Sequence, residues 1–131
     1  MKRVRVVAAV LRRDGRILVT RRHDHADRGG QWEFPGGKVE PGEGETVALV
    51  REIREELDCA VSVGDLLART SHRYPDLEVE LAFFACALLP GSVPRLVGAD
   101  SMEWAEPGRL VTYDFCEADR PLLPVLLGAV V

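Results

Sequence analysis

Residues 36–59 constrain the fold more than any other part of the chain, because they join two glycine turns to an uninterrupted helical pattern. Their sequence is GGKVEPGEGETVALVREIREELDC. Neither Gly nor Pro interrupts Glu45–Leu57, and Ala, Leu, Val, Glu and Arg dominate there, which predicts a helix. At about 100° per residue, one side of this helix collects the apolar side chains Val47, Val50, Ile53 and Leu57. The segment therefore predicts an amphipathic helix that is entered through a glycine turn.

Three glutamates fall on the opposite side of this helix. Glu52, Glu55 and Glu56 are spaced i, i+3 and i+4, so their carboxylates converge on one patch, here called the glutamate cluster. Like charges at this spacing cost a helix about 0.2–0.5 kcal/mol per pair. Carboxylates suit Mg²⁺ or Mn²⁺, which are hard cations usually held by a few carboxylates, water and substrate phosphates. These residues alone are compatible with a solvated acidic face or with a metal site.

The spacing around the cluster favours the metal site. The segment fits the pattern G-x5-E-x7-R-E-U-x-E-E-x-G-U, where U is a bulky aliphatic residue, with Gly37, Glu43, Arg51, Glu52, Ile53, Glu55 and Glu56 in place. This pattern is the signature of the Nudix hydrolases, which the chain resembles. Asp58 stands where the family has Gly, and Cys59 replaces the last aliphatic residue. Because Asp tolerates a left-handed helix end better than most residues, we expect a changed cap and an intact site.

The remainder of the chain predicts strands around this helix. Strands are predicted at 3–11, 16–20, 31–37, 60–69, 77–89 and 102–105, and helical segments at 107–111 and 121–127. This order indicates an α/β or α+β fold. The resemblance implies the Nudix fold, a mixed β-sheet sandwiched between helices (α/β/α). With 131 residues and no repeat or linker, residues 1–131 are predicted to form a single Nudix hydrolase domain.

Charge and hydropathy exclude several classes of partner. The net charge of −4 gives no electrostatic reason to bind a nucleic-acid polymer. Residues 6–11 are apolar, but they are too few for a signal peptide, and no run reaches the length of a membrane span. Cys59, Cys86 and Cys116 are scattered without disulfide-framework or zinc spacing, which predicts reduced thiols. We therefore expect a cytoplasmic protein, monomer or homodimer, with no membrane partner.

The resemblance implies a role for each residue of the signature. The glutamate cluster is implied to bind Mg²⁺, with Mn²⁺ possible, and the carbonyl of Gly37 often joins it in the family. Gly has no side chain to keep the backbone away from an ion. Arg51 and Glu43 are implied to orient the glutamates, and Arg51 can reach Glu55 at i+4. The general base differs among Nudix enzymes, so the three glutamates share the direct catalytic role.

The likeness extends to the MutT branch, which hydrolyses nucleoside triphosphates to a monophosphate and pyrophosphate. The run WEFPGGKVE at 32–40 is typical of that branch. Arg22 matches a phosphate-contacting arginine there, although it could also be a solvated strand end. Asp119 stands where MutT has a base-reading Asn, and an ionised Asp could accept from an amino group of cytosine or a purine. Asp119 is also a candidate helix N-cap, and Phe34 and Val4 could line a base pocket or belong to the core.

A second departure concerns the metal site. MutT-like enzymes often carry an additional acidic ligand six residues before the tryptophan of the late strand. Counting back from Trp104 gives Gly98 in this chain. Asp100 is the nearest acid and a candidate to replace that ligand after a small shift of the loop. If it does not, the metal stoichiometry or the general base differs from the best-known members.

These observations predict a Mg²⁺-dependent nucleoside triphosphate pyrophosphohydrolase of MutT type. Its expected substrate is an oxidised or modified triphosphate such as 8-oxo-dGTP, or (d)CTP, cleaved to the monophosphate plus pyrophosphate. One alternative is a Nudix hydrolase of another nucleoside diphosphate derivative, such as ADP-ribose or a dinucleoside polyphosphate. Another is a nucleotide-binding protein without turnover, which the departures at Asp58 and Gly98 motivate and the intact glutamate cluster opposes.

Overall fold

The computed structural model describes residues 2–128, and within that range the chain forms a seven-stranded mixed sheet between helices. The strands are β1 (Lys2–Arg13), β2 (Arg16–Arg21), β3 (Trp32–Glu33), β4 (Gly36–Lys38), β5 (Val61–Arg73), β6 (Leu77–Leu88) and β7 (Ser101–Ala105). The helices are α1 (Glu45–Leu57), a 3₁₀ helix (Pro107–Thr112) and α2 (Leu122–Leu126). The predicted fold class is confirmed.

Strand β1 organises the sheet. It pairs in parallel with β6, from Lys2 opposite Leu77 to Leu11 opposite Cys86, and antiparallel with β2 and β4. The main order is β3-β2-β1-β6-β5, with β7 added to β2 and β4 to β1. The parallel β1–β6 pair among antiparallel neighbours makes the sheet mixed. The antiparallel pairing of β4 with β1 places Gly36 and Gly37 beside the middle of β1.

Side chains of β1 face two separate hydrophobic cores. The core under α1 contains Val7, Ala9 and Leu11 with Leu49 and Ile53. The core on the other face contains Ala8 and Val10 with Phe34, Phe115 and Leu122. Successive side chains of a strand point to opposite faces, so a continuous apolar run such as residues 6–11 belongs to a strand covered on both sides. This double burial produces the predicted layers of helix, sheet and helix.

Helix α1 has the predicted bounds but buries a partly different face. Its buried residues are Ala48, Leu49, Ile53 and Leu57. The predicted apolar side was wrong for Val47, which is 63% exposed, and only partly right for Val50, which is half-buried. Burying Leu49 in place of Val47 removes a larger apolar side chain from water. The small Ala48 lets the helix lie close to the sheet.

The C-terminal end of α1 is closed by Asp58 and by residues 89–100. Asp58 has φ 47° and ψ 43°, and its N–H donates to the carbonyl of Arg54 at 3.0 Å. Asp58 thus adopts the left-handed conformation of the family's Gly, so Asp is tolerated at this position, and the cap changes in residue type only. The N–H groups of Arg95 and Gly98 donate to the carbonyls of Leu57 and Glu56 at 2.7 and 2.9 Å. The following loop thus satisfies carbonyls that a helix end leaves free, and it fixes the backbone of Glu56.

Two predicted segments differ from the structure. The strand expected at 31–37 is split into β3 and β4 at Pro35, which has no N–H to donate to a sheet ladder. The C-terminal helix expected at 121–127 shortens to α2, which has Pro121 at its N-cap and no side-chain cap. The prediction that Asp119 caps this helix was therefore wrong, because its carboxylate is used elsewhere.

Cys59, Cys86 and Cys116 are buried free thiols. Cys59 packs in the core under α1, so it takes the apolar role of the signature's last position. Across residues 2–128, no helix combines the length and the hydropathy needed to cross a membrane.

Candidate functional site

Arg51 connects the glutamate cluster to the turn before α1. Its Nε and Nη2 donate to the two carboxylate oxygens of Glu43, both at 2.8 Å, and Nη2 also donates to the carbonyl of Lys38 at 3.0 Å. Its Nη1 donates to Glu52 at 2.8 Å and to Glu55 at 3.2 Å. One planar guanidinium thus fixes three carboxylates at once. This arrangement matches the orienting role that the signature implies for Arg51 and Glu43.

Glu43 is the anchor of that network. The guanidinium of Arg51 lowers the pKa of Glu43 to about 2, and the N–H of Glu40 adds a hydrogen bond at 3.0 Å. The same contacts raise the pKa of Arg51. Both groups therefore stay charged over the whole physiological range, so the contact between Glu43 and Arg51 does not depend on pH there.

Replacing Arg51 by Lys is expected to weaken the affinity for Mg²⁺ by about 10–100-fold, as loss of a group that orients metal ligands typically does. A lysine keeps the charge, but it cannot hold Glu43 in a two-pronged contact and reach Glu52 as well. The Mg²⁺ concentration at half-maximal activity measures the effect. Arg54→Lys, on the same helix but outside this network, is the control. Equal Mg²⁺ dependence in both variants would contradict the orienting role.

Gly37 lies directly against Glu52. A Cβ on residue 37 would stand 2.2 Å from Oε2 of Glu52 and 2.3 Å from its Cδ. The carboxylate occupies the space that any side chain would need, so Gly is required here for close approach rather than for a special backbone angle. The geometry explains the first glycine of the signature and places the Gly37 backbone beside a predicted metal ligand.

Glu56 is the most perturbed member of the cluster. Burial raises its pKa to about 8, with further contributions from the charges of Glu33 and Glu52. The hydroxyl of Thr20, which is fully buried, lies 3.4 Å from Oε1 of Glu56. Burial also raises the pKa of Glu52, whereas Glu55 is 59% exposed. A divalent cation would favour the ionised forms of both half-buried acids, and their carboxylates are the donors that Mg²⁺ prefers.

The cluster is not assembled around a single ion position. Among residues 2–128, no three Asp, Glu, His or Cys side chains lie together in a geometry that could hold a metal ion. Nη1 of Arg51 donates to the carboxylates of both Glu52 and Glu55 and therefore occupies the space between them. The set Gly37, Glu52, Glu55 and Glu56 therefore stays a prediction as a ligand set.

A pocket of about 240 Å³ opens beside Glu56 and reaches Asp119. Its apolar wall includes Val4, Val6, Phe34, Tyr74, Leu77 and Val79, and its polar groups include Arg22 and Glu33. The structure thus brings together the predicted substrate-binding residues from three distant parts of the chain. Their roles are not tested by this placement, but all of them border the space next to the glutamate cluster.

Asp119 lines the pocket on the N–H side of the peptide between residues 33 and 34, whereas Thr20 and Glu56 lie on its carbonyl side. Asp119 is 5% exposed, and its Oδ2 accepts a hydrogen bond from the N–H of Phe34 at 3.0 Å. Burial, reinforced by the charge of Glu33, raises the pKa of Asp119 well above its ordinary value of 3.8. A protonated Asp119 can donate as well as accept, which widens the choice of base edge beyond that expected for an ionised Asp.

Asp119→Asn is expected to raise the melting temperature, and the gain should grow as the pH rises above about 4. The folded protein binds the Asp119 proton more tightly than the unfolded chain, so wild-type stability falls as pH increases through this interval. Asn avoids that ionisation cost, and its carbonyl can still accept from Phe34. Thermal unfolding from pH 4 to pH 8 measures the difference. Asp114→Asn, at an exposed site, serves as the control, and a gain that shrank with pH would contradict the explanation.

Glu33 is the site residue that the sequence analysis missed. Its carboxylate lies 3.1 and 3.2 Å from Nη1 of Arg22, whose Nε donates to the carbonyl of Asp27 at 2.7 Å. Burial raises the pKa of Glu33, although Arg22 opposes the shift. The available signal was an acid between two aromatic residues, Trp32 and Phe34, directly before the glycine turn. Arg22 is thus held at the pocket by an ion pair instead of ending a strand in solvent.

Asp100 forms an ion pair with Arg21. Its carboxylate accepts from Nη1 of Arg21 at 2.6 Å, and this contact lowers its pKa. Gly98, the position of the additional acid in MutT-like enzymes, lies against Glu56, and a Cβ there would stand 3.2 Å from the Glu56 Cα. A metal-binding role for Asp100 stays a prediction, and it would require the ion pair with Arg21 to break.

Comparison with known proteins places the chain in a family. A family model described as "NUDIX domain" matches residues 6–124. The CTP pyrophosphohydrolase of Escherichia coli K12 is 36% identical over 128 residues, which cover 98% of this chain and 94% of that protein. The 8-oxo-dGTP diphosphatase of the same strain is 30% identical over 127 residues, covering 96% and 98% of the two chains.

A solved structure supports the same assignment. The solution NMR structure of the MutT protein of methicillin-resistant Staphylococcus aureus 252, described as a Nudix hydrolase, is 37% identical with a TM-score of 0.79. The alignment covers 98% of this chain and 99% of that chain. Fold, signature and full-length similarity agree, and the chain belongs to the Nudix hydrolase family.

Proposed function

We propose that the chain is a Mg²⁺-dependent MutT-type pyrophosphohydrolase, which cleaves a nucleoside triphosphate to the monophosphate and pyrophosphate. The observation that carries the proposal is the pocket between Glu56 and Asp119. A cation-binding group at one end and a base-reading group at the other suit a nucleotide whose phosphates lie at the cluster. The relatives named CTP pyrophosphohydrolase and 8-oxo-dGTP diphosphatase support a triphosphate substrate.

Each residue has a distinct part in this proposal. Glu52, Glu55 and Glu56 would hold Mg²⁺ with the Gly37 carbonyl, and the bound ion would neutralise phosphate charge and acidify water. Arg51 and Glu43 keep those carboxylates oriented. Arg22, which pairs with Glu33, would bind a phosphate oxygen. A carboxylate oxygen of the cluster that does not contact the ion would accept the proton of the attacking water.

The base end of the pocket narrows the choice of substrate. Asp119 in its neutral form offers one O–H donor beside a carbonyl acceptor. This donor and acceptor complement a base edge that has an acceptor next to a donor. Cytosine has such an edge in N3 and its amino group, and 8-oxoguanine has one in O6 and N7–H. Unmodified guanine has two acceptors, N7 and O6, on the latter edge, so the acid fits it less well. We therefore propose (d)CTP-type or 8-oxo-dGTP substrates.

Product analysis tests the proposal. Purified protein with Mg²⁺ would be incubated with 8-oxo-dGTP, dGTP, dCTP, CTP, 5-methyl-dCTP and ADP-ribose, and the products separated by chromatography. Monophosphate and pyrophosphate from one triphosphate, at a far higher kcat/KM than from the others, is the expected result. Cleavage of ADP-ribose alone would point to a nucleoside diphosphate derivative as substrate. Triphosphate binding without turnover would instead indicate a nucleotide-binding protein.

A further inference from the structure

We propose that Glu33 binds a hydroxyl group of the nucleotide sugar and makes the site sensitive to the sugar. The inference rests on the proposed function and extends it to a part of the substrate that the signature residues do not address. Glu33 lines the pocket with a quarter of its side chain exposed. It belongs to β3, outside the segment that carries the glutamate cluster.

Hydrogen bonds place Glu33 between the two ends of the pocket. Its carbonyl lies 3.4 Å from the hydroxyl of Thr20, and the same hydroxyl lies 3.4 Å from Oε1 of Glu56. On its other side, the N–H of Phe34 donates to Asp119 at 3.0 Å. The peptide between residues 33 and 34 thus lies between Glu56 and Asp119. The carboxylate of Glu33 is near both acids, because its charge contributes to the raised pKa of each. A nucleotide has the order phosphate, sugar, base, so phosphates near Glu56 and a base near Asp119 leave the sugar beside Glu33.

The chemistry of Glu33 fits a sugar hydroxyl and excludes a phosphate. A carboxylate has about four acceptor positions, and Nη1 of Arg22 approaches both oxygens without filling all of them. Sugar hydroxyls are the donors between the base and the phosphates, whereas ionised phosphate oxygens have no proton to donate and carry the same charge as Glu33. Since Arg22 also holds the carboxylate in one orientation, the acceptor is preorganised before substrate binds.

A substrate series combined with variants of Glu33 tests the contact. kcat/KM would be measured for the ribonucleoside, 2′-deoxy and 2′,3′-dideoxy triphosphates of the base that the wild-type chain prefers. A hydrogen bond to an ionised group predicts that removal of the bound hydroxyl lowers wild-type kcat/KM by about 10–100-fold. In Glu33→Ala the same removal should change kcat/KM by less than about 2-fold, because the acceptor is gone.

The ratio between substrates separates a sugar contact from a structural role. If Glu33 only positions Arg22, Glu33→Ala lowers kcat/KM for all three sugars by the same factor, and that result would overturn the inference. Glu33→Gln keeps the shape of the side chain and serves if the Ala variant fails to fold. It should reduce the discrimination to a few-fold, since a neutral acceptor binds a hydroxyl more weakly.

The matched control is Glu106→Ala, an exposed glutamate outside the pocket, which should retain the wild-type ratios. Equal wild-type kcat/KM for the three sugars, or unchanged discrimination in both Glu33 variants, would overturn the inference while leaving the proposed function intact. If the wild-type chain hydrolyses none of the triphosphates, the proposed function fails and this inference fails with it.

Discussion

Glu56→Gln is expected to lower kcat by about 10²–10⁴-fold, because a carboxylate that binds the cation or accepts the water proton contributes several kcal/mol to the barrier. The substitution keeps the volume and the contact with Thr20 but removes the negative charge. Steady-state hydrolysis of the preferred triphosphate at saturating Mg²⁺ gives the value. An unchanged rate would exclude the proposed metal-site mechanism for this chain.

Stability gives an independent test of the same substitution. In the metal-free protein, the pKa of Glu56 is about 8, against an ordinary value of 4.5. The folded state therefore binds this proton more tightly than the unfolded chain, and wild-type stability is lost as pH rises from about 4.5 through 8. Glu56→Gln has no such loss, so it should melt at a higher temperature than wild type at pH 9.

The comparison should be made in a chelator and at two pH values. Near pH 4 the wild-type residue is protonated in both states, and the two proteins should melt at similar temperatures. A variant that is inactive and also less stable at pH 9 would indicate a damaged fold instead of a lost charge. An inactive variant with raised stability at pH 9 would show that the substitution impairs catalysis and not folding. That result would agree with the general finding that half-buried functional acids lower the stability of the folded protein.

Residues close together in sequence were the ones that the sequence could predict well. The contact of Arg51 with Glu43 was expected from the resemblance to the Nudix signature. The bounds of α1 and the left-handed cap at Asp58 depend on spacing within one turn or one helix. Local spacing fixes such features because helical geometry repeats every 3.6 residues. The fold class followed from the order of elements, and its Nudix form from the signature.

Contacts between distant segments explain what the sequence analysis missed. Glu33 becomes a pocket residue only because Arg22 and Asp119 fold around it, and its place between two aromatic residues does not specify either of these contacts. Asp100 was the nearest acid by counting, yet Arg21 holds it through an ion pair that spans the sheet edge. The buried face of α1 is set by its packing against β1. Hydrophobic periodicity along the helix does not contain that contact, so it indicated the buried face only approximately.

The adjacent glycines Gly36 and Gly37 should respond differently to the same substitution. Gly37→Ala is expected to lower kcat/KM by about 10²-fold or more, with the fold retained. Its Cβ would meet the carboxylate end of Glu52, a flexible side chain that can turn away. Such a turn takes Glu52 out of the predicted ligand set, and displacement of a catalytic group by about 1 Å costs on the order of 10²-fold.

Gly36→Ala is the matched control, because its Cβ would meet backbone. The new atom would stand 1.9 Å from the carbonyl oxygen of Val7 and 2.8 Å from the Cα of Ala8, the residue that pairs with Gly36 in the β1–β4 ladder. Backbone in the centre of a sheet cannot rotate away, so we expect a loss of stability of about 1–3 kcal/mol or more. Denaturant unfolding and Mg²⁺-dependent hydrolysis, measured on both variants, separate the two effects. Gly37→Ala should fail mainly in hydrolysis and Gly36→Ala mainly in unfolding, and loss of stability without loss of activity in Gly37→Ala would contradict the role given to the contact with Glu52.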